Sequence, residues 1–162
     1  MYLEPGLAAV QTHLEAAITE LVSKYKIDGL YIDPMGDPAG PGQWGYHPEI
    51  VRKWVEETGV SGAPPSNDPK WQAFRAKIIT DALQGFIAAA HKVRPDLPIG
   101  VNLTAQGAAA ISANDFYKSP AFQQTHQDYP KWLELEGLSR IYVRDFRPEQ
   151  GEQTAFDGWL NF

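Results

Sequence analysis

Ile27-Asp28-Gly29-Leu30-Tyr31-Ile32-Asp33-Pro34 is the stretch around which the chain is organised. The run Gly29–Ile32 is apolar and partly β-branched, with Gly on one side and Pro close on the other, so it predicts a short buried strand. Pro34 disfavours helical geometry at Asp33 and offers no N–H to a ladder. The strand therefore ends with a carboxylate at its C-terminal exit, the end where parallel α/β folds bind substrates. Asp before Pro also begins ordinary turns, and both readings stay open on these eight residues.

Working outward, an apolar stripe precedes the strand. Leu7, Val10, Leu14, Ala17, Ile18, Leu21, Val22 and Tyr25 recur at three- and four-residue steps, which predicts a helix over about 7–26 packed against a sheet. After the strand, residues 34–46 (Pro-Met-Gly-Asp-Pro-Ala-Gly-Pro-Gly-Gln-Trp-Gly-Tyr) hold too many breakers for helix or strand, and long exit loops are more often functional than short ones. His47-Pro48 opens a short helix with Ile50, Val51, Trp54 and Val55 on one face, closed at Thr58-Gly59. Residues 60–68 form a second loop. Asp68 then caps a helix with Pro69 at its first position, and Trp71, Phe74, Ile78, Ala82, Phe86, Ile87, Ala90 and Val93 mark its stripe down to Arg94-Pro95.

Two further strands follow. Leu97–Leu103 carries Asn102 near its exit, and Leu138–Phe146 carries Asp145 at its exit as Asp33 stands at the first. Between them, residues 104–119 read as an exit loop, and Pro120 to Glu136 as helical near its end, closed by Gly137. Ala155, Phe156, Trp159 and Leu160 begin a last helix. Strands alternating with helices predict parallel βαβ units. Long loops after strands and short connections before them suit a partial (β/α)8 barrel, α/β in class, with about three parallel strands. A whole barrel takes about 250 residues, so the chain of 162 is expected to be a single incomplete barrel segment over 1–162, its remaining strands lying in a longer chain.

Composition narrows the function. Net charge is -6 with Lys and Arg scattered, which argues against a nucleic-acid face. The absence of Cys excludes thiolate metal sites and cysteine nucleophiles. No apolar run reaches membrane-spanning length, and Met1-Tyr2-Leu3-Glu4-Pro5 does not read as the end of a signal peptide, which says little of a piece of a longer chain. His13, His91 and His126 are too dispersed for metal-ligand spacing, so neither metal nor cofactor is expected. Five Trp and seven Tyr suit a sugar cleft, though core packing explains most of them.

The succession Leu3-Glu4-Pro5-Gly6, then Asp28-Gly29-Leu30-Tyr31-Ile32-Asp33, resembles the "N-P-G … D-G-I-H-L-D" core of the family 10-like glycoside hydrolases, also called glycosyl hydrolase-like 10. The likeness continues through Gly45-Tyr46-His47-Pro48 and Asp68-Pro69-Lys70-Trp71-Gln72-Ala73-Phe74-Arg75. It reaches Phe122, Gln127-Asp128-Tyr129 with Trp132, and finally Phe156-Asp157-Gly158-Trp159. The resemblance implies the region from just before the fourth barrel strand to the helix after the sixth. It also implies an extracytoplasmic setting and a glycan substrate, a bacterial cell-wall or other polysaccharide. The chain departs from the family at two exits. Asp33-Pro34-Met35-Gly36-Asp37-Pro38 lacks the Tyr and Arg of "D-Y-x-R-Y-P", and Val143-Arg144-Asp145-Phe146 replaces "P-M-N-Y". Both departures bear on activity more than on fold.

Glycoside hydrolysis needs two carboxyl groups flanking one bond. With one strand between them, the backbones of Asp33 and Asp145 should stand roughly 9–10 Å apart, and inward-leaning carboxyls about 5–9 Å, spanning the retaining and inverting ranges. Asp33 is expected as nucleophile or base and Asp145 as acid. Arg144 beside Asp145 works against that second role, since a cation holds a carboxyl ionised. Asn102 is a candidate for binding a sugar hydroxyl or for satisfying loop backbone. Trp44 and Tyr46 are candidates for stacking on a pyranose or for anchoring their loop. Asp37 is a spare carboxylate in a flexible loop, counted with Arg144 among the substrate-binding candidates. His47 is expected to cap its helix, Arg75 to brace the loop below it, and Gln127-Asp128 to support the cleft or begin a helix. A carbohydrate-binding or degenerate barrel without hydrolysis, or an inactive truncated piece, is the competing expectation.

Overall fold

The computed structural model describes residues 3–33, 35–38, 44–145 and 156–161. Pro34, loop residues 39–43, Phe146 and Ala155 from the readings above lie outside the described residues. The elements run α1 (Ala8–Lys24), β1 (Leu30–Ile32), α2 (Pro48–Thr58), α3 (Pro69–Val93), β2 (Ile99–Thr104), α4 (Ala113–Phe116), α5 (Pro120–Thr125), α6 (Tyr129–Trp132) and β3 (Arg140–Arg144). A further helical turn covers 156–160. The three strands form one open sheet in the order β1-β2-β3, all parallel. Helices intervene between them, an arrangement consistent with a partial barrel.

Helix starts follow local chemistry. The Asp68 carboxylate accepts from the backbone N–H groups of Lys70 and Trp71 at 2.7 and 3.1 Å, and Pro69 occupies the first turn, where its missing N–H costs nothing. His47 caps α2 through Nδ1, which accepts from Glu49 N at 3.2 Å, and Gly59 closes that helix at φ 70°. Inside α3 the buried positions Ile79, Ala82, Leu83, Phe86, Ile87 and Ala90 recur at helical spacing. They pack with Ile99 and Val101 of β2, with Leu30, Ile32 and Ile141 at the margin of the same core. Each fully buried Leu or Ile of this set contributes about 1.5–3 kcal/mol.

α1 departs from expectation. It packs chiefly on α3, reaching the core shared with the strands only through Val22, with Leu14 and Ile18 at its margin, and of its stripe only Val22 is buried, while Leu21 and Tyr25 are exposed. The region 104–125 is more helical than its small, polar composition predicts. Ser112 caps the single turn of α4, and Ser119 with Pro120 starts α5. His126 then breaks the helix in the left-handed region at φ 53°, ψ 25°, and Asp128 starts α6. Among the described residues no helix is long and apolar enough to cross a membrane.

The two faces of the sheet differ. Ile32, Val101 and Ile141 are register partners on the face that α3 covers. Tyr31, Gly100 and Arg140 are partners on the opposite face, joined two residues on by Tyr142 beside Asn102. Tyr31 and Tyr142 there remain 48% and 44% exposed, their rings edge-to-face at 5.1 Å. Gly100 is required beneath them, since a Cβ at that position would lie 2.6 Å from the Tyr142 ring.

Candidate functional site

Both candidate carboxylates stand at strand exits on the same end of the sheet. Asp33 follows β1 directly, level with Asn102 and Tyr142 by extension of the register. Asp145 follows β3, whose last residue Arg144 pairs with Thr104. One strand, β2, lies between them, as the sequence implies. Arg144 reaches back across β2, and its Nη1 donates to both oxygens of Asp33 at 2.9 Å. The sequence reading set Arg144 against its neighbour Asp145; the structure gives it Asp33 as a partner, because alternation along β3 carries Arg144 toward the face of Tyr142. The pair is only partly covered, with about 30% of each side chain exposed (32% and 29%). Such ion pairs are worth about 0–1 kcal/mol, so an incoming ligand can open this one. A depression of about 700 Å³ adjoins it, lined by Tyr31, Tyr142, Val143, Arg144, Asp145 and Phe156. Partial burial, with the nearby Asp33 charge, raises the Tyr31 phenol above its usual range, which keeps it a neutral donor.

Behind this rim lies a buried network that the sequence only hinted at. Arg75, in the second turn of α3, is wholly buried and donates from Nη1 to Glu4 Oε1 at 2.8 Å and from Nη2 to Asp37 Oδ1 at 2.7 Å. The expected brace is thus a three-residue ion cluster. Asp37 requires correction: it is no spare carboxylate but is 3% exposed, held by Arg75 and, through Oδ2, by His126 Nδ1 at 2.9 Å. Burial alone would raise the Asp37 carboxyl. The His126 hydrogen bond and the Arg75 guanidinium outweigh burial and hold it below the usual carboxylate range. For Arg75 burial likewise opposes the charge, and Asp37 and Glu4 more than offset it. Gly45, at φ 83°, lies against this guanidinium; a Cβ there would come within 2.2 Å of Arg75 Nε.

Gln127 ties the two regions together. Its Nε2 donates to Met35 O at 2.5 Å and Asn102 O at 3.1 Å, and its Oε1 accepts from Thr104 N at 2.8 Å. Asn102 is fully buried, and its Oδ1 accepts from Met35 N at 3.4 Å, the loop-satisfying alternative of the two the sequence left open. Among the described residues its Nδ2 has no hydrogen-bond partner. Tyr46 anchors its loop: the hydroxyl donates to Pro64 O at 2.9 Å and the ring lies 4.9 Å from that of Trp71. Trp44 is 37% exposed at the mouth of a smaller cavity, with Asp37 and His126 in its wall. Asp128 caps α6 and accepts from the Tyr117 hydroxyl at 2.9 Å; burial, and after it this hydrogen bond, pushes the phenol up to about 12.

The sequence brought Asp33, Asn102, Arg144 and Asp145 to one end of one sheet, and the structure places them there. It did not bring Asp37 to His126. The one signal was Arg75 about two turns after a capped helix start, on the same side as the apolar stripe of α3, where a buried cation needs an acid.

The model of the family described as glycosyl hydrolase-like 10 matches residues 1–158 of this chain. No curated protein matches it.

Proposed function

Because the chain belongs to the glycosyl hydrolase-like 10 family, we propose that it hydrolyses O-glycosidic bonds of a bacterial cell-wall or other polysaccharide at the rim formed by the β1 and β3 exits. The observation that carries this reading is Asp33, a partly exposed carboxylate on a strand end, beside a depression to which Asp145 contributes. In this reading Asp33 is nucleophile or base. Its ion pair with Arg144 is weak enough to open when a sugar arrives, which frees one oxygen for the anomeric carbon or for water. Asp145 is the proton donor, and Tyr31 and Tyr142 offer ring faces to a pyranose. We read the three strands as consecutive staves of a (β/α)8 barrel, with the bare face of Tyr31 and Tyr142 turned toward its interior and the remaining strands supplied by a longer chain. The exposed rings and the unpaired outer edges of β1 and β3 among the described residues support this.

Asp33→Asn and Asp145→Asn test the reading by release of reducing ends from purified glycan strands. Each variant is expected to lose at least about 100-fold in turnover while binding glycan like the wild type. Wild-type turnover in both would overturn the paired-carboxylate mechanism. One observation favours a second reading, a glycan-binding barrel without hydrolysis: Arg144 engages both oxygens of Asp33. It predicts glycan binding by the wild type with no reducing ends released.

A further inference from the structure

Strand β1 stops before its neighbour β2 does, and the rung it leaves out is filled by a side chain from elsewhere. In a parallel ladder every second residue of one strand serves a carbonyl and an N–H of the other. Leu30 N donates to Pro98 O at 2.9 Å, with Leu30 opposite Ile99. The same repeat gives Gly100 O and Asn102 N to Ile32, and assigns Asn102 O and Thr104 N to position 34. Position 34 is a proline, which has no N–H to give. β2 nevertheless runs on to Thr104, and Asn102 is fully buried. Backbone groups left without partners there are costly.

Gln127 serves both groups. Its Nε2 donates to Asn102 O at 3.1 Å, and its Oε1 accepts from Thr104 N at 2.8 Å. One carboxamide thus presents to β2 the N–H and the C=O that a further β1 residue would have presented. The second Nε2 hydrogen goes to Met35 O at 2.5 Å, on the loop that leaves Asp33. The partners fix which way round the amide lies: two carbonyl oxygens need its amino end, and one N–H needs its oxygen. At 2% exposure Gln127 makes these bonds away from water. The loop closes tightly around it. Gly36 lies at φ 144°, where a Cβ would come within 2.7 Å of Gln127 Cγ, and Asp37 N donates to Thr125 O at 2.8 Å.

Asp33 stands between the last ladder pair, Ile32 with Val101, and the Met35 that Gln127 holds. Both of its flanks are therefore tied to β2, one by the ladder and one by a side chain. We propose that Gln127 is a positioning residue for Asp33: its carboxamide takes the place of the next β1 rung, lets the ladder stop at Asp33 without loss to β2, and so fixes where that carboxylate stands on the rim. The inference rests on the hydrolase reading above only for its effect on turnover.

The first test needs no variant. In the full chain, nuclear magnetic resonance is expected to show a scalar coupling across the hydrogen bond between the Thr104 amide nitrogen and the Gln127 carboxamide carbon. Absence of that coupling would overturn the proposal. Gln127→Met keeps the length of the side chain and removes all three bonds. It is expected to speed hydrogen exchange at the Thr104 amide about tenfold and to shift the Asp33 carboxyl carbon resonance. Exchange as slow as in the wild type would overturn the proposal, and so would an unmoved Asp33 resonance, which leaves Gln127 a purely structural residue. Thr80→Val removes the hydrogen bond from Trp132 Nε1 in the α3 core and controls for general loosening; the Asp33 resonance is expected to stay in place. On glycan strands Gln127→Met is expected to lower kcat about tenfold at unchanged KM. Wild-type kcat in that variant also overturns the positioning role. A wild-type chain without turnover overturns the hydrolase reading instead, and the resonance measurements still decide the role of Gln127.

Discussion

Two arginines in this molecule each hold an aspartate, and they do so under opposite conditions. Arg75 and Asp37 meet in the interior, both essentially without solvent contact, with Glu4 and His126 completing the cluster. Arg144 and Asp33 meet at the rim, each about one-third exposed. Inside, desolvation raises the cost of every charge and makes each partner indispensable once the others are present. At the surface water does the same work for either partner, so the pair can part and re-form at little cost. The contrast separates a scaffold from a place where a ligand can intrude. The interior cluster fixes the loop after β1, and the rim pair leaves a carboxylate exchangeable at the exit of the same strand.

Removing a member of the interior cluster is the largest test of this contrast. Arg75→Ala strands Asp37 and Glu4 and is expected to cost about 3–5 kcal/mol, read as a fall in the urea midpoint. A loss near zero would mean that the cluster is solvated in solution. The pH dependence comes next. Asp37 has its folded pKa depressed, so its contribution to stability is fully present above the unfolded value of about 3.9 and is lost as pH falls through the lower folded value. Acid titration of urea midpoints should therefore show a component from this group with a slope of at most about 1.4 kcal/mol per pH unit, absent in Asp37→Asn. Smallest is the rim pair. A double-mutant cycle with Asp33→Asn and Arg144→Ala should return a coupling below about 1 kcal/mol, declining further in high salt. A salt-insensitive coupling of several kcal/mol would put the rim pair in the same class as the interior one.

Much of the fold was legible because its determinants are local. Asp68 followed by Pro69, His47 followed by Pro48 and the Gly59 stop each act within one turn, and each does in the structure what its chemistry predicts. The strand exits were legible too, since β1 and β3 are bounded by Asp33-Pro34 and Asp145, and parallel pairing then sets both acids on one end of the sheet. The reading was weaker from residue 104 to 132. Three short helices there depend on Ser112, Ser119 and Asp128 caps, signals too brief to stand out in a small, polar stretch. Asp37 was misread for a different reason. Its surroundings in sequence are Gly and Pro, which look like solvent-exposed loop, while its partners Arg75 and His126 are 38 and 89 residues away.

By itself the sequence determined the alternation of strands and helices, the helix starts, and the acidic residues at two strand ends. All of these follow from hydrogen bonds and steric limits between near neighbours in the chain. Only the tertiary structure decided which charges are paired, which of them are dry, and that His126 and Trp44 line one small cavity. The strength of an ion pair depends on how much water surrounds it, and burial is a property of the packed chain that no local stretch contains.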